Sequence, residues 1–174
     1  TVVKAGGVKN LDQPILNLST NESSFGASPL VLEAIQERAD NPHRYPDPSS
    51  TDLRDAIGEA FGLDPKLITC GNGSEEVIDG IARVYSRPGD EILFSEYGFL
   101  QFPIVAYRTG ATPVKAPARD LKTDVDSLLA AVTEKTKIVF VANPDNPTGT
   151  WIPTTEIRRL RDNLPGNVVL VVDS

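Results

Sequence analysis

The chain has 174 residues, enough for one domain with a sizeable core, and 24 acidic against 17 basic residues leave a net charge of −7. There is no Lys/Arg-dense stripe and no apolar run of bilayer-spanning length, so neither nucleic acid nor a membrane is expected as a partner. The single Cys, Cys70, cannot form an internal disulfide and fits a reducing cytosol, and with the single His, His43, it cannot build a metal site.

Residues 1–26 read as irregular, being polar, Gly-containing and without sustained periodicity. The opening stretch has no apolar core of signal-peptide length, so a cytoplasmic location is expected. Pro29–Ala39 reads as a helix with Ser28 as N-cap and Leu30, Leu32, Ala34 and Ile35 as its apolar positions. A turn-rich link follows. Thr51–Phe61 reads as a second helix, capped by Ser50 or Thr51 and stopped by Gly62.

From Lys66 the rhythm alternates. Strands are expected at 67–70, 91–94, 112–116, 138–142 and 168–172, and helices at 75–85, 99–108, 125–131 and 155–163. Repeated β-α-β units with right-handed crossovers predict an α/β fold, a three-layer sandwich with a mainly parallel central sheet. The all-apolar run Val168–Val172 reads as an interior strand, buried on both faces. Because such a strand needs a covering crossover, the chain is expected to continue past Ser174.

Four strand ends carry the chemistry. The first expected strand runs into Gly71-Asn72-Gly73-Ser74-Glu75-Glu76. A glycine turn opening a helix is an anion site, because unpaired N–H groups and the helix dipole both face the ligand. Glu76 stands where a dinucleotide fingerprint needs a third Gly, which argues against a Rossmann-type dehydrogenase. The plainer alternative is a helix capped by Ser74.

The second strand ends in Ser95-Glu96-Tyr97-Gly98-Phe99, whose aromatics can lie against a planar ligand or pack in the core. The fourth runs into Asn143-Pro144-Asp145-Asn146-Pro147-Thr148-Gly149, a forced turn that presents an Asn amide at the ligand-binding edge, or else an ordinary Pro-rich turn. The fifth delivers Asp173 after five apolar residues, where a carboxylate requires a partner: a cationic ring nitrogen, an N-cap or a basic side chain. A phosphate cradle, a stacking face, an amide and a carboxylate on one sheet edge are the inventory that pyridoxal 5'-phosphate needs.

These motifs, with Asn21-Glu22 and His43-Arg44-Tyr45-Pro46-Asp47, resemble the fold-type I pyridoxal-phosphate aminotransferases, in their histidinol-phosphate branch. The 27 positions from Asn146 to Asp173 fit that branch. The resemblance implies that the Ser74 and Glu75 N–H groups hold the cofactor phosphate. It implies that Phe99, with Tyr97 as second choice, stacks on the ring, that Asn146 bonds the phenolic oxygen and that Asp173 pairs with the ring nitrogen. Tyr45 would reach the phosphate in a neighbouring subunit, making a homodimer, and Asn21 would lie near the substrate. The implied activity is amino transfer from histidinol phosphate to 2-oxoglutarate in histidine biosynthesis.

It further implies that residues 1–45 form an N-terminal arm and small-domain helix, and 46–174 the first half of the cofactor-binding large domain. The Schiff-base Lys and two binding Arg residues of the family would lie beyond this stretch, leaving these 174 residues inactive by themselves. The family's Asn-Glu-Asn-Pro-x-Gly reads here Asn21-Glu22-Ser23-Ser24-Phe25-Gly26. Alternatives are an aromatic-amino-acid transaminase, a decarboxylase of cobalamin synthesis on the same scaffold, or a non-catalytic domain that binds phosphate or a protein partner.

Overall fold

The computed structural model describes residues 20–39 and 41–174. Much of the irregular stretch expected at 1–26 lies outside them. The chain divides into two compact units, Thr1–Ser49 and Ser50–Ser174. In the first, Pro29 opens helix α1 (Pro29–Arg38), which buries none of its residues. Ser28 stands at its N-cap without a side-chain bond.

The second unit holds α2 (Thr51–Phe61), α3 (Gly73–Tyr85), β1 (Glu91–Ser95), α4 (Gln101–Thr109), β2 (Thr112–Ala116), α5 (Val125–Ala131), β3 (Thr136–Ala142), α6 (Thr154–Asn163) and β4 (Val169–Asp173). The four strands form one all-parallel sheet in the order β2-β1-β3-β4. Side chains alternate between its faces. Ile92, Phe94, Ile138, Phe140 and Ala142 meet Ile78 and Ala82 of α3 and Phe102, Val105 and Ala106 of α4. Leu93, Val139 and Val141 meet Val125 and Leu128 of α5 and Leu160 of α6. These are the expected three layers. Full burial of each large side chain contributes about 1.5–3 kcal/mol.

Because β1 lies between β2 and β3, the crossover through α4 runs one way along the sheet and that through α5 runs back. Right-handed crossovers in opposite directions put those helices on opposite faces. The chain connections therefore diverge between β1 and β3. At such a switch point the C-terminal strand ends open a crevice for ligands.

One expectation about strands is corrected. Residues 67–70 are not a ladder strand: Pro65–Leu67 form a 3-10 turn, and Ile68 is extended (φ −103°, ψ 130°) without a paired neighbour among the described residues. Local β propensity does not create the second strand that a ladder needs. Among the described residues β4 is the last strand of the ladder, with Val169–Val171 half-buried and Val172 40% exposed. Its run is apolar because Val171 packs on the α3/α4 side and Leu170 on the α5/α6 side. Coverage of both faces says nothing about what pairs at the edge.

Candidate active site

Three of the four sequence features meet at the C-terminal edge of the sheet through the ladder itself. In the β3–β4 register Ala142 faces Asp173, and Asn143 N–H donates to the Asp173 carbonyl at 2.8 Å. Paired residues of parallel strands project to the same face. Asp173 therefore shares the α3/α4 side with Ala142 and Phe140. Its carboxylate is half-buried, and no cation stands within ion-pair distance among the described residues.

The loop after β3 is closed from within. Asn143 Nδ2 donates to Ile152 O at 3.1 Å, and Ile152 N–H donates to Asn143 Oδ1 at 2.9 Å. Above that rung Asp145 N–H donates to Thr150 O at 2.7 Å, and Gly149 N–H to Asp145 O at 2.8 Å. Both X–Pro bonds of the loop, Asn143-Pro144 and Asn146-Pro147, are cis. Asn146 sits at the tip, half-buried, its amide without a hydrogen-bond partner among the described residues. The two Asn residues thus differ: Asn143 staples the loop, and the Asn146 amide makes no bond within it among the described residues.

Asp145 is buried at 6% exposure. Its Oδ2 accepts from Thr148 Oγ1 at 2.9 Å, while Oδ1 has no partner among the described residues. Burial pushes its pKa up, and the Thr148 bonds only partly oppose this.

After β1, Gly98 N–H donates to Ser95 O at 2.9 Å, closing the turn that delivers Phe99. Phe99 is half-buried, edge-on to Phe102 with centroids 5.8 Å apart, and Phe102 in turn stacks on Phe140 at 4.8 Å. A ring held by the core is fixed in place. Tyr97, 43% exposed, belongs to no ring pair among the described residues.

The turn before α3 lies at the same edge, because α3 runs back along the sheet to enter β1 at its N-terminal end. Ser74 is not the N-cap: the helix begins at Gly73 with Asn72 as cap residue, and Ser74 falls within the first turn. Glycine supplies the entry conformation, with Gly73 at φ +75°. The N–H groups of Ser74 and Glu75, orphans of the first turn, have no acceptor among the described residues. The capping role falls to Glu76, whose Oε2 accepts from Asn72 N–H at 2.5 Å and from Asn72 Nδ2 at 2.8 Å. A cleft of ≈ 660 Å³ opens beside this turn, lined by Thr69, Cys70, Gly71 and Val77 among others.

Asn21 and Tyr45 belong to the first unit, where both are exposed, Tyr45 fully. Sequence reasoning did not assign Asn143, Asp145 or Glu76. The doubled Asn-Pro step was a signal that one Asn is spent on the turn. Nothing in the spacing marked Glu76 as a cap.

Residues 13–174 match the family described as aminotransferase class I and II. The chain is 53% identical over 160 residues to the histidinol-phosphate aminotransferase of Paramagnetospirillum magneticum, covering 92% of this chain and 44% of the relative. It is 49% identical over 170 residues to that of Ruegeria pomeroyi, covering 97% and 47%. Among solved structures it resembles histidinol-phosphate aminotransferase from Sinorhizobium meliloti in complex with pyridoxal-5'-phosphate, with a TM-score of 0.84, 34% identity, and coverage of 88% of this chain and 42% of that one. The aspartate aminotransferase of Rhizobium meliloti, at 21% identity and TM-score 0.78, shares the fold. The chain thus spans about half the length of the curated relatives it matches.

Proposed function

We propose that this chain, which belongs to the class I and II aminotransferase family, forms the ring- and phosphate-facing part of a histidinol-phosphate aminotransferase dependent on pyridoxal 5'-phosphate. The observation that carries the reading is the half-buried Asp173 without a cation, on the α3/α4 side of the sheet edge that also bears the free Asn146 amide. The donor set fits the cofactor. A phosphate suits the two unpaired N–H groups at the start of α3. A protonated pyridine nitrogen suits a carboxylate that lacks a cation. When bound, the cofactor supplies an electron sink for the carbanion at the amino donor's Cα.

The chain's own residues have separable tasks. Ser74 and Glu75 anchor the phosphate through their backbone N–H groups. Phe99, held edge-on by Phe102, supports the flat face of the ring; Tyr97 is the alternative. Asn146 donates to the phenolic oxygen and fixes the in-plane orientation. Asp173 keeps the proton on the ring nitrogen, which a neutral residue there could not do. Asn21 approaches the amino donor, and Tyr45 the cofactor phosphate of a second subunit. The proposed setting is a cytoplasmic homodimer acting on histidinol phosphate and a 2-oxo acid, 2-oxoglutarate, in histidine biosynthesis. Residues 1–45 would serve as arm and small-domain helix, and 46–174 as the first half of the large domain. The lysine that carries the cofactor is assigned to sequence outside these residues.

The test is to express this sequence with whatever follows it in its gene and assay amino transfer to 2-oxoglutarate. Histidinol phosphate is expected to be the best donor by kcat/KM. A preference for phenylalanine or tyrosine would move the assignment to an aromatic transaminase, and no transfer from any amine would refute it.

A further inference from the structure

The turn that opens α3 is tied by a carboxylate four residues further on. Gly73 N–H donates to Gly71 O at 2.9 Å. Asn72 between them, at φ −76° and ψ 78°, is the centre of an inverse γ-turn. Glu76 reaches back over this turn and accepts both Asn72 N–H and Asn72 Nδ2 on one oxygen, Oε2. Gly71 leaves the room for it: a Cβ there would stand 3.0 Å from Val77 Cγ2 and 3.3 Å from both Cβ and Oε2 of Glu76. The protein's own anion therefore takes one N–H of the turn and leaves those of Ser74 and Glu75 without an acceptor.

We propose that Glu76 is the positioning residue of the phosphate cradle: by fixing Asn72 it aims the Ser74 and Glu75 N–H groups at a phosphate monoester. This rests on the cofactor reading above. A carboxylate in the first turn is favoured by the helix dipole, so the tie holds before any ligand arrives. The same charge stands close to an incoming phosphate and repels it. Geometry and charge thus act in opposite directions, and two substitutions separate them. Glu76→Gln keeps an acceptor oxygen for Asn72 N–H and removes the charge. Glu76→Ala removes both.

The experiment uses the full polypeptide that carries this segment, as apoprotein, titrated with pyridoxal 5'-phosphate and separately with pyridoxal, which lacks the phosphate. Glu76→Ala is expected to weaken the phosphorylated ligand by about tenfold or more, as loss of a charge-assisted bond implies. It should leave pyridoxal within about twofold, on the same scale of bond loss. Glu76→Gln is expected to restore the phosphorylated ligand to wild-type affinity or better. Faster hydrogen exchange at the Asn72 amide in Glu76→Ala, slowed again in Glu76→Gln, reads the tie without any ligand. Equal weakening of both ligands would reduce Glu76 to a general stability role and overturn the proposal, as would unchanged affinity in Glu76→Ala. If the wild type binds pyridoxal 5'-phosphate no better than pyridoxal, the cofactor reading itself fails and this inference falls with it.

Discussion

Asn143 and Ile152 face each other across the base of the loop after β3 and exchange two hydrogen bonds, side-chain amide to backbone, at 3.1 and 2.9 Å. The pair imitates one rung of a sheet where the chain has already turned out of it. Ile152 is 4% exposed, so its N–H and C=O have no water to fall back on. Asn143→Ala should cost about 1–3 kcal/mol, the penalty for buried groups left unpaired. Thermal melting reads this directly. The same variant should weaken cofactor binding in the full polypeptide, because the loop that carries Asn146 loses its staple. Asn143→Asp keeps the acceptor for Ile152 N–H but sets a carboxylate against Ile152 O, so it should be no better than alanine. A wild-type melting curve for Asn143→Ala would show that the two backbone bonds at 145, 149 and 150 suffice.

Asp145 predicts a pH dependence. Burial raises its pKa above the ordinary carboxylate value, so the fold favours the protonated form. Between the ordinary value and the raised one, the folded state holds more protons than the unfolded chain. Its contribution to stability is therefore complete below the ordinary carboxylate range and is lost as pH rises through the raised value. Asp79, held down by its bond from Arg83, and Asp124, held down by Ser127, work in the opposite sense: their contributions are lost as pH falls through the carboxylate range. Asp145→Asn removes only the alkaline-side loss. It should match the wild type in melting temperature at low pH and exceed it by a few degrees at pH 8, since an amide fills the site without the charge. A difference between the two proteins that stays constant with pH would sink the assignment.

The aromatic set behind the site gives a third prediction. Phe102 is fully buried and touches Phe94 at 6.2 Å, Phe99 at 5.8 Å and Phe140 at 4.8 Å between centroids. Phe102→Ala should cost about 3–5 kcal/mol, since it opens a cavity between α4 and the sheet. Phe102→Leu is the more informative change. It keeps most of the volume but removes the edge-on contact that orients Phe99. At a temperature where the variant is fully folded, its cofactor affinity should fall while secondary structure by circular dichroism stays unchanged. Unaltered affinity would mean that Phe99 is placed by the turn Ser95–Gly98 alone.

How much of this could be read from residues alone follows from what each signal measures. The runs 91–94 and 138–142 are apolar at every or nearly every position because helices cover both faces of β1 and β3, and that is a property of the strands themselves. Residues 67–70 misled for the same reason. Apolar or β-prone character reports side-chain environment, whereas ladder partners are set by distant parts of the chain. Asn146 and Asp173 stand out in the sequence because an Asn-Pro turn and a lone Asp after five apolar residues are costly without a partner, and the structure places both at the C-terminal edge of the sheet. Glu76 was legible only as a missing glycine. Its actual bond is to a residue four positions back, in a turn whose shape depends on Gly71 and Gly73 together.

Asp173 offers the most direct test of the site. Its backbone is fixed by Asn143 N–H, and its side chain shares a face with Ala142 and Phe140. Nothing among the described residues neutralises it. On the proposed reading its partner is the ligand, since no bond or cation reaches its side chain among the described residues. Asp173→Asn preserves shape and removes the charge that, on the proposed reading, would hold a proton on the ring nitrogen. In the full polypeptide it should lower kcat by on the order of 10²-fold or more, the scale of losing one fixed electrostatic contact to the reacting centre. Melting temperature should stay level or rise, because a half-buried charge without a protein partner has been removed. Asp173→Glu keeps the charge but lengthens the side chain by one methylene, and it should recover part of the rate lost in Asp173→Ala. A near-normal rate in Asp173→Asn would remove Asp173 from the chemistry. A rate loss accompanied by an equal loss of folded protein would assign it to the sheet edge instead.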